Sequence, residues 1–311
     1  MGLKQVMEIY ELLDDPGING EKVVSYFKSH KIENVSFQRV KGEKGKTDFI
    51  RIFLSGTHGK SCGGNAPTMG IVGRLGGIGA RPEAIGFVSD GDGCVAALAA
   101  ALKLGQMAVL GDKLPGDIII TTHICPDAPT QPHFPVPFMG SPVDIKTMNE
   151  YEVEQEMDAI ISIDTTKGNR IINHKGISIS PTVKEGYILK VSNDLINILE
   201  IVTGGLAHVF PLSIQDITPY GNGLYHINSI LQPAVATDAP VVGVAITSGA
   251  VVPGCATGAS HLVDIEQATR FSIEVAKAFG AGLCSFYDQE EFAEIKKLYG
   301  SLKRFQTLGE K

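Results

Sequence analysis

Residues 94–110, CVAALAAALKLGQMAVL, constrain the fold more than any other stretch. They are apolar on nearly every face, so a helix formed here has no side fit for solvent and belongs inside the molecule. Something must cover it all round. The material for that cover is a set of short apolar runs, AIGFVS, DIIITT, DAIISI, HVFPL and VVGVAI, each of the length and composition of a strand in a covered central sheet. They recur in a rhythm of strand, loop and helix, and 311 residues with 43% apolar side chains suffice for one large core.

The flanking segments fit around such a sheet. Val6, Ile9, Leu12 and Leu13 share one helical face, Val23, Val24 and Phe27 share another, and PGING separates the two. VSFQRV and FIRIFLS are divided by the polar turn KGEKGKTD, which predicts paired strands. DIEQATRFSIEVAKAFG and QEEFAEIKKLYGSLKRF read as closing helices, the first capped by Asp264 with Gln267 three residues on. We therefore expect one α/β domain over 1–311, with a helical and hairpin opening segment at 1–48. The Pro-rich stretch 126–142, PDAPTQPHFPVPFMGSP, excludes a helix or central strand and is expected to be a functional loop, a lid.

Composition narrows the function. A net charge of -7 without Lys/Arg clusters argues against a nucleic-acid surface, because phosphate neutralisation needs concentrated positive charge. No apolar run of roughly 18 uncharged residues is evident and the first residues are acidic, so we expect a cytoplasmic protein with no membrane partner. Five cysteines, an odd number without regular spacing, predict reduced thiols. GGIGAR lacks the strand, helix and downstream acid of a dinucleotide site. The sequence leaves a homo-oligomer open.

FLSGTHGKSCGG, residues 53–64, poses the sharpest chemical question. GTHGKS resembles the phosphate loop of the Mur-type amide ligases, whose following helix holds ATP phosphates at its amino end. Here SCGGNAPTMG follows, and its glycines and proline stop a helix within a turn. The competing reading is a metal site. His58, Asp90, Asp92, His123, Asp127, Asp164 and His261 all follow apolar strand-like runs, and in an open α/β sheet the carboxyl ends of strands face one crevice. Imidazoles and carboxylates suit zinc, manganese or cobalt.

The order of these residues carries a family resemblance. ELLDDPGINGEKVVSYFKSH, SDGDGCVAALAAALKL, LPGDIIITT, AIISIDTT and GASHLVDIEQATRFSIEVAKAF together resemble segments of the co-catalytic zinc exopeptidases of the glutamyl and leucyl aminopeptidase type. The chain also resembles a family of bacterial and archaeal proteins of this length known only as uncharacterised. The peptidase resemblance implies a three-layer αβα sandwich with a central mixed sheet, phosphorylase/hydrolase-like, and one or two divalent ions. It implies His58 as first ligand, Asp90 as bridging ligand with Asp92 as second candidate, then Asp164 and His261.

The chain departs from that pattern in three places. Lys60 stands where the peptidases carry a supporting Asp. No inserted domain separates the first His from the bridging Asp. HICPDAP replaces the Glu-Glu pair. In that replacement we expect His123 as general base, Asp127 as carboxylate ligand and Cys125 as a candidate thiolate ligand or nucleophile. Lys60 and Arg81 are candidates for binding a substrate carboxylate or phosphate. The expected function is metal-dependent hydrolysis of a small amide or peptide. A catalytically silent relative that binds a small ligand in the same cleft, and an ATP-dependent ligase, are the alternatives.

Overall fold

The computed structural model describes residues 2–310 apart from 44, 75, 77–86, 127, 133–137, 167 and 251–259, and at 130–131 and 138–139 the backbone alone. The chain opens with helices α1 (Leu3–Asp14) and α2 (Gly20–Ser29), then strands β1 (Val35–Gly42), β2 (Gly45–Leu54) and β3 (Met69–Gly73). Helix α3 (Asp92–Val109), β4 (Ile118–Ile124), β5 (Thr130–Gln131), β6 (Phe138–Met139), α4 (Ile145–Glu152) and β7 (Ala159–Thr165) follow. The remainder comprises β8 (Gly176–Ile179), β9 (Val183–Lys184), β10 (Tyr187–Ile188), α5 (Asn193–Thr203), β11 (Val241–Thr247), α6 (Leu262–Gly280) and α7 (Gln289–Tyr299).

Nine strands form one mixed sheet in the order β1-β2-β4-β3-β7-β11-β9-β10, with β8 also paired to β11. Strands β4, β3, β7 and β11 are mutually parallel, whereas β2 runs antiparallel to β4. One face carries Met69, Ile71, Ile118, Ile120, Ile161 and Val244, packed under α1, α3, α5 and α6. The other carries Val72, Ile119, Ile160 and Ala245. That face is covered by Phe210, Ile230 and Leu231 from an irregular segment, and by α4, whose Glu152 carbonyl accepts a hydrogen bond from the Thr121 hydroxyl. The three-layer α/β architecture expected from the sequence is present.

Helix α3 is central to the first face. Ser89–Val109 is long and apolar enough to cross a membrane by length and composition, contrary to the sequence expectation, yet 72% of its apolar window is buried within the fold. Its start approaches the sheet very closely. A Cβ on Gly93 would lie 2.5 Å from the Ile163 carbonyl oxygen, so only glycine fits there.

Four local expectations need correction. HVFPL forms no strand: Val209 makes an isolated bridge to Ile179, and Pro211 two residues later has no N–H to extend it. Strand β3, MGIVG, was hidden by its glycines. Helix α6 begins at Leu262, so Asp264 lies in its first turn and His261 holds the cap position. QEEFAEIKKLYGSLKRF is broken at Gly300, where φ is 76°. Within 126–142, β5 and β6 pair as a two-residue ladder, and the core of the expected lid, 133–137, lies outside the described residues.

Candidate functional site

The register of the parallel strands sets three polar residues side by side. Gly73 of β3 pairs with Thr122 of β4 and Ile163 of β7, so the next residues, Arg74, His123 and Asp164, form one row on the face that carries Val72. The row ends at the carboxyl edge of the sheet, where a cleft of ≈ 780 Å³ is lined by Asp90, His123, Cys125, Asp164, Tyr220 and Ser229 among others. Asp90 arrives on the short turn Ser89–Gly91 before α3, tied to β7 by a 2.8 Å bond from the Thr165 hydroxyl to the Ser89 carbonyl.

Behind the cleft lies a buried charged network. Arg74 and Glu152 are both 0% exposed and His123 is 1% exposed. His123 Nδ1 lies 2.5 Å from Glu152 Oε1, and the Gly76 amide donates to His123 Nε2 at 3.3 Å. That pattern assigns the ring proton to Nδ1. Arg74 Nε lies 3.2 Å from Glu152 Oε2, and another guanidinium nitrogen donates to the Asn149 side-chain oxygen. Asn149 in turn donates to the Gln232 carbonyl at 3.0 Å, which fixes α4 to the covering segment.

Asp164 and Asp90 differ in their surroundings. Asp164 accepts from the Ser229 hydroxyl and the Thr165 amide, both at 2.7 Å. Burial pushes its carboxyl up to about 6, against the pull of those donors and of the positive charge on Arg74. Asp90 is pushed well above the usual carboxylate range by burial first, then by the charges of Asp164 and Asp92. Tyr220 is raised by burial and by Asp164, so its hydroxyl stays a donor. Cys125 is buried beside Thr47 and its thiol is pushed up to about 12 by burial, which does not suit a thiolate.

His58, Lys60, Asp92 and His261 do not line this cleft. Because β2 runs against β4, His58 and Lys60 lie at the amino edge of the parallel strands, where the His58 amide bonds to the Pro115 carbonyl. Lys60 pairs with Asp158 at 2.6 Å, six residues before Asp164, so a sheet length of roughly 20 Å separates the two edges. Asp92 is buried and accepts from the Ser260 hydroxyl at 2.5 Å. His261 is exposed at the start of α6. Asp127 and Arg81 lie outside the described residues. Sequence reasoning missed Arg74 and Glu152. An arginine directly after the apolar run MGIVG was the available signal.

The loop GTHGKS holds a group of its own. Asp117 accepts from the amides of Gly56 and Ser61 at 2.8 Å each and from the Ser61 hydroxyl at 2.7 Å. Burial pushes this carboxyl up, but the donors and Lys60 outweigh it and hold it below its ordinary value. The loop amides of Gly56 and Ser61 are thus engaged by an internal carboxylate, and the turn Lys60–Cys62 ends at Gly63. Asp117→Ala is expected to cost about 1–3 kcal/mol by orphaning these donors. The wild-type contribution should be present above the ordinary carboxylate range and fade as pH falls through the lowered value. Urea unfolding of both proteins at neutral and acid pH checks this, and an equal difference at both would contradict it.

A dinuclear zinc centre needs imidazoles with a free lone pair and carboxylates reaching a common point. Both ring nitrogens of His123 are engaged, and His58 is at the other edge. Among the described residues no group of three or more His, Cys, Asp and Glu side chains is set to hold a metal ion. The described residues do not fit that centre.

No curated protein matches the chain. Among solved structures, the LapA aminopeptidase of Legionella pneumophila is similar at 14% identity, covering 92% of this chain and 71% of that one, with a TM-score of 0.48. A family model described as protein of unknown function (DUF1177) matches residues 38–309, and the chain belongs to that family.

Proposed function

We propose that the protein hydrolyses a small amide or peptide in the cleft at the carboxyl edge of the sheet, with Asp164 as general base and Asp90 as general acid. One observation carries this reading: two carboxylates share a cleft, and among the described residues only Asp164 receives hydrogen bonds that favour its charge. Paired carboxylates whose environments separate their proton affinities are suited to opposite roles. The reaction class itself comes from the sequence resemblance to the aminopeptidases.

In the forward step Asp164 takes a proton from a water molecule, and the water oxygen bonds to the scissile carbonyl carbon. Asp90 gives its proton to the departing amide nitrogen as the C–N bond breaks. Tyr220 is suited to donate a hydrogen bond to the carbonyl oxygen as negative charge develops on it. Proton transfer from Asp164 back to Asp90 through water resets the pair.

The test is a pH profile over a panel of small aminoacyl and peptidyl amides. Because Asp164 must be ionised, kcat/KM should rise as pH passes about 6 and then level. Absence of turnover across the panel would leave the ligand-binding relative as the better account.

A further inference from the structure

The cross-strand row that reaches the cleft contains a guanidinium where a cation would be needed. Arg74 occupies the carboxyl end of β3, between His123 on β4 and Asp164 on β7. Its side chain is the largest among the fully buried ones of the described residues, and its positive charge acts on Asp164 as well as on Glu152. Glu152 balances that charge and at the same time engages His123 Nδ1. Asn149 holds the far end of the guanidinium, so its position is fixed from both sides.

These contacts have two consequences for a metal ion. His123, the described imidazole nearest to Asp164 in the row, has no lone pair to give without breaking its bond from Gly76. A divalent cation beside Asp164 would also face the like charge of Arg74 across a buried, weakly screened space. We infer that Arg74 serves as the resident cation of this site, a positioning residue that compensates the buried carboxylates and excludes a transition metal from the cleft. The inference stands apart from the identity of any substrate.

The experiment measures metal binding, not turnover. The purified full chain is dialysed against zinc, manganese and cobalt in turn, analysed for metal content, and titrated with zinc by calorimetry. The wild-type chain should retain less than stoichiometric metal and show no saturable heat in the micromolar range. One or two ions per chain, lost on Asp164→Asn, would overturn the inference and leave the hydrolase reading standing with a metal added. No metal together with no amide hydrolysis would leave the inference standing and remove the hydrolase reading.

A variant makes the assignment to Arg74 specific. Arg74→His combined with Glu152→Gln removes the charge pair together and offers an imidazole at the strand end. If circular dichroism shows it folded, zinc affinity should rise by more than about tenfold over wild type. A folded double variant whose zinc affinity is unchanged would show that Arg74 is not what excludes the ion. If it does not fold, the wild-type titration alone decides.

Discussion

Arg74→Ala is expected to remove about 3–5 kcal/mol of folding stability, the cost of leaving a buried charge without its partner. Glu152 is 0% exposed and would keep only the His123 contact, while Asn149 would lose the group that it holds. Part of the loss is shape, since an arginine side chain leaves a large void between α4 and the sheet. Arg74→Met with Glu152→Gln separates the two effects: it fills most of the volume and removes both charges, so it should recover most of the loss. Urea denaturation midpoints of wild type, single and double variants measure this. A single variant within about 1 kcal/mol of wild type would mean that the pair is better solvated than its burial indicates.

Asp164→Asn should lower turnover by about 10²–10⁴-fold, the range for loss of a positioned base. The fold should survive, because an amide oxygen can still accept from either the Ser229 hydroxyl or the Thr165 amide. Stability should change with pH in a defined direction. A carboxyl raised to about 6 in the folded chain favours folding below its ordinary value, and that contribution is lost as pH rises through about 6. The span corresponds to on the order of 3 kcal/mol. The asparagine variant should lack this decline, so its advantage over wild type should grow between pH 4 and pH 7. Parallel activity and thermal-melt series check both effects, and unchanged kcat in the variant would remove Asp164 from the mechanism.

The layers were legible because they depend on periodicity. The all-round apolar character of CVAALAAALKL and the bare apolar runs DIIITT, DAIISI and VVGVAI specify buried elements wherever they lie. The direction of β2 was not legible. Its apolar pattern is the same whichever way it runs, and that direction decides whether His58 reaches the cleft or sits at the opposite edge. Strand β3 was lost for a different reason. MGIVG has two glycines in five residues, which weaken a strand signal, yet a Cβ at Gly70 would meet Met157 and one at Gly73 would meet α3, so the packing requires them. His123 and Asp164 were found from their strand-end positions, Asp90 from its place after AIGFVS, of which 84–86 lie outside the described residues, and Cys125 from its place in the segment that replaces the Glu-Glu pair; the structure brings all four to one cleft. Arg74 and Glu152 were missed because a buried ion pair between residues so far apart in sequence leaves no local pattern.

The separation of the two sheet edges has a practical side. Cys62 is exposed on the turn Lys60–Cys62, whereas Cys94, Cys125 and Cys284 are buried with thiols pushed up to about 12. Among the described cysteines, a maleimide-bearing dye or surface therefore has one accessible address, and it lies at the edge remote from Asp90 and Asp164. With Cys255, which lies outside the described residues, replaced by serine, the chain can be tethered or labelled there with its cleft facing outward. That gives a fixed orientation for single-molecule or biosensor measurements of whatever enters the cleft.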